Sequence, residues 1–142
     1  MTEHTASTES DTVAIAEAFA RALHPGDWVG LIGPLGAGKS VFARAVGRAL
    51  GVRETMPSPT YTLMNVLHGT IPVYHIDLYR MSSADELDFA GIGPYFESSG
   101  ICLVEWADRI REHWPDRGWL VTIAIGELSE RRITIAPLHQ DS

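Results

Sequence analysis

The sequence predicts an α/β domain of three layers, with a mixed, partly antiparallel β-sheet flanked by helices. Three observations predict it. A short apolar segment leads into a glycine-rich loop and then an amphipathic helix, the opening of a parallel α/β unit. Two hairpin patterns, around residues 68–70 and 126–130, add antiparallel strands. A continuous apolar segment closed by an acid, residues 101–106, reads as a strand covered on both faces.

The elements follow in order. Residues 1–10, rich in Ser, Thr and Glu, read as a mobile tail, and residues 11–142 as one domain. Ile15, Phe19, Ala22 and Leu23 recur at helical spacing, so residues 11–23 predict a helix capped by Ser10 or Asp11 and ended by Pro25-Gly26. Trp28–Ile32 predicts a buried strand, and residues 39–50 a second helix stopped by Gly51. Pro57 and Pro59 keep the next stretch extended. Residues 61–67 and 71–78 pair about His68-Gly69-Thr70. Ser83 with Glu86 three residues on is a capping-box signal for a short helix before Gly91. Residues 110–114 suggest a further helix, bounded by Pro115. Residues 119–125 and 132–135 form the last strand pair.

Composition narrows the function. The chain has 142 residues, 45% hydrophobic and 20% charged, which is ordinary for one packed domain. A net charge of -7 disfavours tight binding to nucleic acid by the chain alone, because phosphate contacts need clustered Lys and Arg. Cys102 is the only cysteine, so there is no internal disulfide, and within an apolar stretch it reads as a packed small hydrophobe. Neither a signal peptide nor a membrane span is predicted, and the cytoplasm is the expected compartment. Of the 11 basic residues ten are Arg, and the single lysine, Lys39, falls inside the glycine-rich loop.

That loop, Gly33-Pro34-Leu35-Gly36-Ala37-Gly38-Lys39-Ser40, matches G-x-x-x-x-G-K-[ST] at every fixed position. A chance match is expected in roughly one chain in two hundred of this length, so the flanking strand and helix decide in its favour. Glycines let the backbone fold back until several N–H groups converge on phosphate oxygens, and the next helix adds the positive end of its dipole. Lys39 is expected to face the phosphates rather than the core, and Ser40 to ligate Mg²⁺ through its hydroxyl. ATP and Mg²⁺ are the implied cofactors.

Two acids close apolar strands and compete for the metal side: Asp77 after Val73-Tyr-His-Ile, and Glu105 after Ile101-Cys-Leu-Val. A carboxylate at the C-terminal end of a strand beside such a loop holds Mg²⁺ or orients the attacking water. Glu105 follows the more continuous apolar stretch, so it is assigned the metal, and Asp77 a second polar role nearer an edge. A Ser58-Pro-Thr-Tyr-Thr62 segment lies where many such proteins sense the γ-phosphate. His75, in mid-strand, reads as packed or hydrogen-bonded rather than catalytic. Arg80, three residues after Asp77, either pairs with that acid or reaches phosphate.

These blocks, together with Tyr74-His-Ile-Asp-Leu-Tyr-Arg80, Glu86-Leu87, Gly91-Ile92 and Cys102-Leu-Val-Glu-Trp106, resemble in order the TsaE (YjeE) family over roughly residues 10–137. The resemblance implies an ATPase that joins the TsaB–TsaD pair in forming N6-threonylcarbamoyladenosine at position 37 of tRNA. It implies that Lys39 and the loop amides, Gly33 through Ser40, hold phosphate, that Ser40 and Glu105 hold Mg²⁺, and that Thr60 and Thr62 lie in a switch-like segment. Asp77 would assist near the γ-phosphate, and adenine-side contacts would come from residues 9–12, Thr12 among them, and from Arg131 and Arg132. Pro34 departs from the family, many members of which carry an acid there, and removes one N–H from the loop. A small-molecule or nucleotide kinase is the main rival. It would need an acceptor site, for which residues 91–101 offer little length. A nucleotide-binding regulatory subunit is the third possibility.

Overall fold

The computed structural model describes residues 1–54, 64–81 and 91–139. Among them, seven strands form one sheet: β1 (Thr2–Ala6), β2 (Trp28–Ile32), β3 (Met64–His68), β4 (Pro72–Asp77), β5 (Ile101–Glu105), β6 (Arg117–Ile125) and β7 (Arg131–His139). Their spatial order is β1-β7-β6-β2-β5-β4-β3. The four central strands, β6, β2, β5 and β4, run parallel, and the flanking pairs β1–β7, β6–β7 and β3–β4 are antiparallel. The fold is thus the mixed α/β sheet that the sequence predicts.

Strand alternation divides the core in two. Val29, Leu31, Leu103 and Val121 face one side, where α1 (Glu9–Ala20) and α2 (Lys39–Ala49) cover them with Phe19 and Phe42. Trp28, Ile76, Cys102 and Val104 face the other side, under the 3-10 segments Gly93–Glu97 and Ala107–His113. Each fully buried Leu or Ile here contributes about 1.5–3 kcal/mol over exposure. Trp28 lies back over Gly30, where a Cβ would come within 2.8 Å of the indole and 3.0 Å of the Ala107 methyl. Any larger residue at position 30 would force the indole out.

Several boundaries differ from the sequence expectation. Residues 1–10 are not a tail. Thr2–Ala6 pair with β7, the Ala6 side chain is fully buried, and Thr8 caps α1. The polar composition hid this strand, because its stability comes from backbone pairing rather than from apolar alternation. The cap is Thr8 instead of Ser10 or Asp11: the Asp11 amide donates to Thr8 Oγ1 at 3.1 Å, and the Asp11 carboxylate accepts from the Thr8 amide in return. The helix therefore runs from Glu9 to Ala20, two residues earlier at its start than predicted. The segment at Ala107–His113 is 3-10 and kinked at Ile110 rather than a regular helix, and the last hairpin is longer than expected at both strands. Gly51 follows α2 with φ +94°, the left-handed turn that ends the helix. Residues 55–63, with Ser58, Thr60 and Thr62, and residues 82–90, with the Ser83–Glu86 capping box, lie outside the described residues. Among the described residues no helix is long and apolar enough to cross a membrane.

Candidate functional site

The loop begins where β2 ends, at the carboxyl edge of the parallel strands. Gly33 passes so close to β6 that a Cβ would sit 2.5 Å from the Ile123 carbonyl oxygen. Gly36 (φ +81°) and Gly38 (φ +105°) take left-handed conformations that fold the loop over the start of α2. No side chain caps that helix, so its first amides are left for a ligand.

On one side of the loop, four polar side chains meet. The Ser40 hydroxyl donates to Glu105 Oε1 at 2.9 Å, and His75 Nε2 lies 2.6 Å from Glu105 Oε2. His75 and Glu105 are each only 2% exposed. Asp77 is the register neighbour of Glu105 on the adjacent parallel strand, since both strands end at that register position. Burial raises the Asp77 carboxyl above its usual range; the Tyr79 amide, 2.9 Å from Oδ1, opposes that rise and the Glu105 charge adds to it.

Lys39, expected to face the phosphates rather than the core, is buried against the loop. It is 4% accessible, its ammonium donating to the carbonyls of Gly33 and Pro34 and sitting 3.9 Å above the Trp106 ring. Burial pushes the Lys39 ammonium below its ordinary range, while Glu105, Asp77 and Asp108 pull it back up. Trp106 holds φ +60°, a left-handed backbone unusual for a bulky residue, and this aims its ring at Lys39 and Tyr79.

The other side of the loop opens into a cleft of about 290 Å³ lined by Thr8, Thr12, Gly36, Gly38, Ser129 and Arg131 among others. Arg131 Nε donates to the Ala37 carbonyl at 3.1 Å and Nη2 to the Gly36 carbonyl at 3.3 Å. Arg132, the other arginine expected here, is not in the cleft. Alternation along β7 turns it to the opposite face, where its Nε lies 3.8 Å from Glu3 Oε1 on β1. Thr12 does line the cleft but is 4% exposed. Leu35 stands exposed at the loop tip, as does Pro34. Arg80 is exposed on the turn after β4.

The structure therefore brings together Lys39, Ser40, Asp77 and Glu105, and separates Arg132 from them. Thr60 lies outside the described residues. Sequence reasoning understated His75, whose signal was only an imidazole two residues before a strand-end acid. It also missed Thr8 and Ser129, turn residues without a motif.

A family model described as threonylcarbamoyl adenosine biosynthesis protein TsaE matches residues 6–133. The tRNA threonylcarbamoyladenosine biosynthesis protein TsaE of Bacillus subtilis (strain 168) is 40% identical over 125 residues, 87% of this chain and 78% of that protein. The protein of the same name from Treponema pallidum (strain Nichols) is 35% identical over 128 residues, 89% of this chain and 93% of that one. Among solved structures, the crystal structure of YdiB from Bacillus subtilis superposes with a TM-score of 0.80 at 33% identity, covering 96% of this chain and 85% of that chain.

Proposed function

The chain belongs to the TsaE family, and on that premise we propose that it is a Mg²⁺-dependent ATPase serving tRNA threonylcarbamoyladenosine formation in the cytoplasm with the TsaB–TsaD pair. The observation that carries the reading is the junction of a phosphate-type loop with a strand-end acid, Ser40 Oγ to Glu105 Oε1 at 2.9 Å. A hydroxyl and a carboxylate are the hard oxygen donors that suit Mg²⁺. Bound Mg²⁺ would neutralise phosphate charge and align the triphosphate.

The chain's own groups divide the remaining work. The uncapped amides of α2 and the loop receive the phosphates. Lys39 exchanges the carbonyls of Gly33 and Pro34 for phosphate oxygens, leaving Trp106 as it does so. Asp77, beside Glu105 and next to the loop, orients the attacking water. Thr60 and Thr62 report the γ-phosphate. The base and ribose occupy the cleft between Thr8, Thr12 and Arg131.

The test is co-purification with TsaB and TsaD with and without ATP, followed by an assay that separates free phosphate from phosphorylated product. ATP-favoured association, free phosphate, and little tRNA retained by the isolated chain are expected. Phosphoryl transfer to a small acceptor would make the chain a kinase, and partner binding indifferent to nucleotide would remove the coupling.

A further inference from the structure

We infer that His75 is a positioning residue that fixes Glu105 within one buried polar chain from β4 to the loop. The inference rests on the proposed Mg²⁺ site. Glu105 divides its two oxygens. Oε2 is committed inward to His75 Nε2 at 2.6 Å, and Oε1 alone faces Ser40 at 2.9 Å. A carboxylate held at one oxygen by a buried donor is biased toward one orientation, which sets how the other oxygen is presented.

The tautomer follows from the partner. A carboxylate only accepts, so the hydrogen of this contact sits on His75 Nε2. That leaves Nδ1 to be satisfied from behind, and Nδ1 is buried with no hydrogen-bond partner. Asn65 Nδ2 is likewise buried and unpartnered. The two residues are direct register partners across β3–β4, so their side chains stand on the same face. An amide N–H is the donor that a bare imidazole nitrogen accepts. The hydrogen-bonded order His75, Glu105, Ser40 therefore runs from β4 to the first turn of α2, and Asn65 Nδ2 lies across the β3–β4 pair from His75 without bonding to it.

The test uses the full-length chain and isothermal titration with the non-hydrolysable analogue AMPPNP, with Mg²⁺ and with EDTA. His75→Asn keeps a polar side chain of small size but draws the donor back from Glu105, whereas His75→Gln returns an N–H near the position of Nε2. His75→Asn should weaken Mg²⁺-dependent binding about 10–100-fold and leave binding in EDTA unchanged, and His75→Gln should recover most of the loss. In a Glu105→Ala background, His75→Asn should change nothing further, because it acts only through that carboxylate. Histidine ¹⁵N shifts of the metal-free chain should show hydrogen on Nε2. Equal Mg²⁺ dependence in His75→Asn and wild type, additive loss with Glu105→Ala, or a bare Nε2 would each overturn the inference while the Mg²⁺ site stood. A wild type that binds AMPPNP identically with and without Mg²⁺ would overturn the Mg²⁺ site and this inference with it.

Discussion

The two sides of the loop are built on different principles. The side with Ser40, Glu105, His75 and Asp77 is made by strand register. Its contacts join residues 30 and 65 positions apart, and their geometry is set because β4 and β5 are buried and hydrogen-bonded along their length. The side with Thr8, Ser129 and Arg131 is made by turns. Leu128 and Ser129 carry positive φ, Leu128 is 99% exposed, and one arginine ties the β6–β7 turn to the loop. On the proposed reading, chemistry that tolerates little displacement belongs to the rigid side, and recognition that tolerates more to the adjustable one.

The largest expected effect tests the shared centre. Lys39→Ala removes the only cation of the loop, so ATP affinity should fall more than about a hundredfold, the equivalent of roughly 3 kcal/mol of charge-assisted hydrogen bonds. The fold should survive, because both hydrogen bonds of the ammonium go to carbonyls of the loop itself, those of Gly33 and Pro34. Calorimetry alongside a thermal melt checks both parts. Undiminished ATP binding by a folded variant would falsify the phosphate assignment of the loop.

The next test separates the neighbours on the rigid side. Glu105→Ala should abolish most Mg²⁺ dependence of nucleotide binding. Asp77→Ala should keep binding within a few-fold and lower turnover about a hundredfold, the usual scale for losing a group that orients or accepts a proton. Steady-state rates at saturating ATP, set beside a Mg²⁺ titration, distinguish the two. The opposite pattern would exchange their roles and move the metal toward β4.

How far each side was legible in the sequence follows from the same division. Lys39, Ser40 and Glu105 were legible because a fixed spacing and an apolar run ending in an acid say where a parallel strand stops. The central place of β5 and the more lateral place of β4 followed from the apolar continuity of residues 101–104 against the mixed run before Asp77. The burial of Lys39 was not legible, since it depends on the left-handed backbone of Trp106. Strand β1 was hidden because Thr2–Ala6 is polar and short, and its pairing with β7 spans nearly the whole chain. Which of the two candidates Arg131 and Arg132 faces the cleft turned on a single residue of register, which reverses the face of every side chain in a strand.

The difference between the two arginines is also measurable. Arg131→Ala should weaken ATP binding about tenfold, since it frees the Gly36 and Ala37 carbonyls from their donors. Arg132→Ala should leave affinity within about twofold, because an exposed pair with Glu3 contributes little. Equal losses would mean that the turn side closes around the nucleotide by a different register of β7.

The smallest effect probes whether the turn side is adjustable at all. Thr8 does two things at once: it lines the cleft, and its hydroxyl caps α1 through the Asp11 amide at 3.1 Å. Asp11 Oδ2 accepts from the Ser7 and Thr8 amides at 3.0 and 3.2 Å, and those two bonds do not need the Thr8 hydroxyl. Thr8→Ala should therefore remove one cap bond and cost about 1 kcal/mol of stability, read as a lower urea midpoint at unchanged slope. Because half of the capping box persists and β1 still anchors the turn on β7, ATP affinity should fall by no more than about twofold, well short of the loss for Arg131→Ala. A larger loss of binding than of stability would show that the Thr8 hydroxyl touches the nucleotide itself. The turn side would then be as closely specified as the strand side, and the contrast between them would disappear.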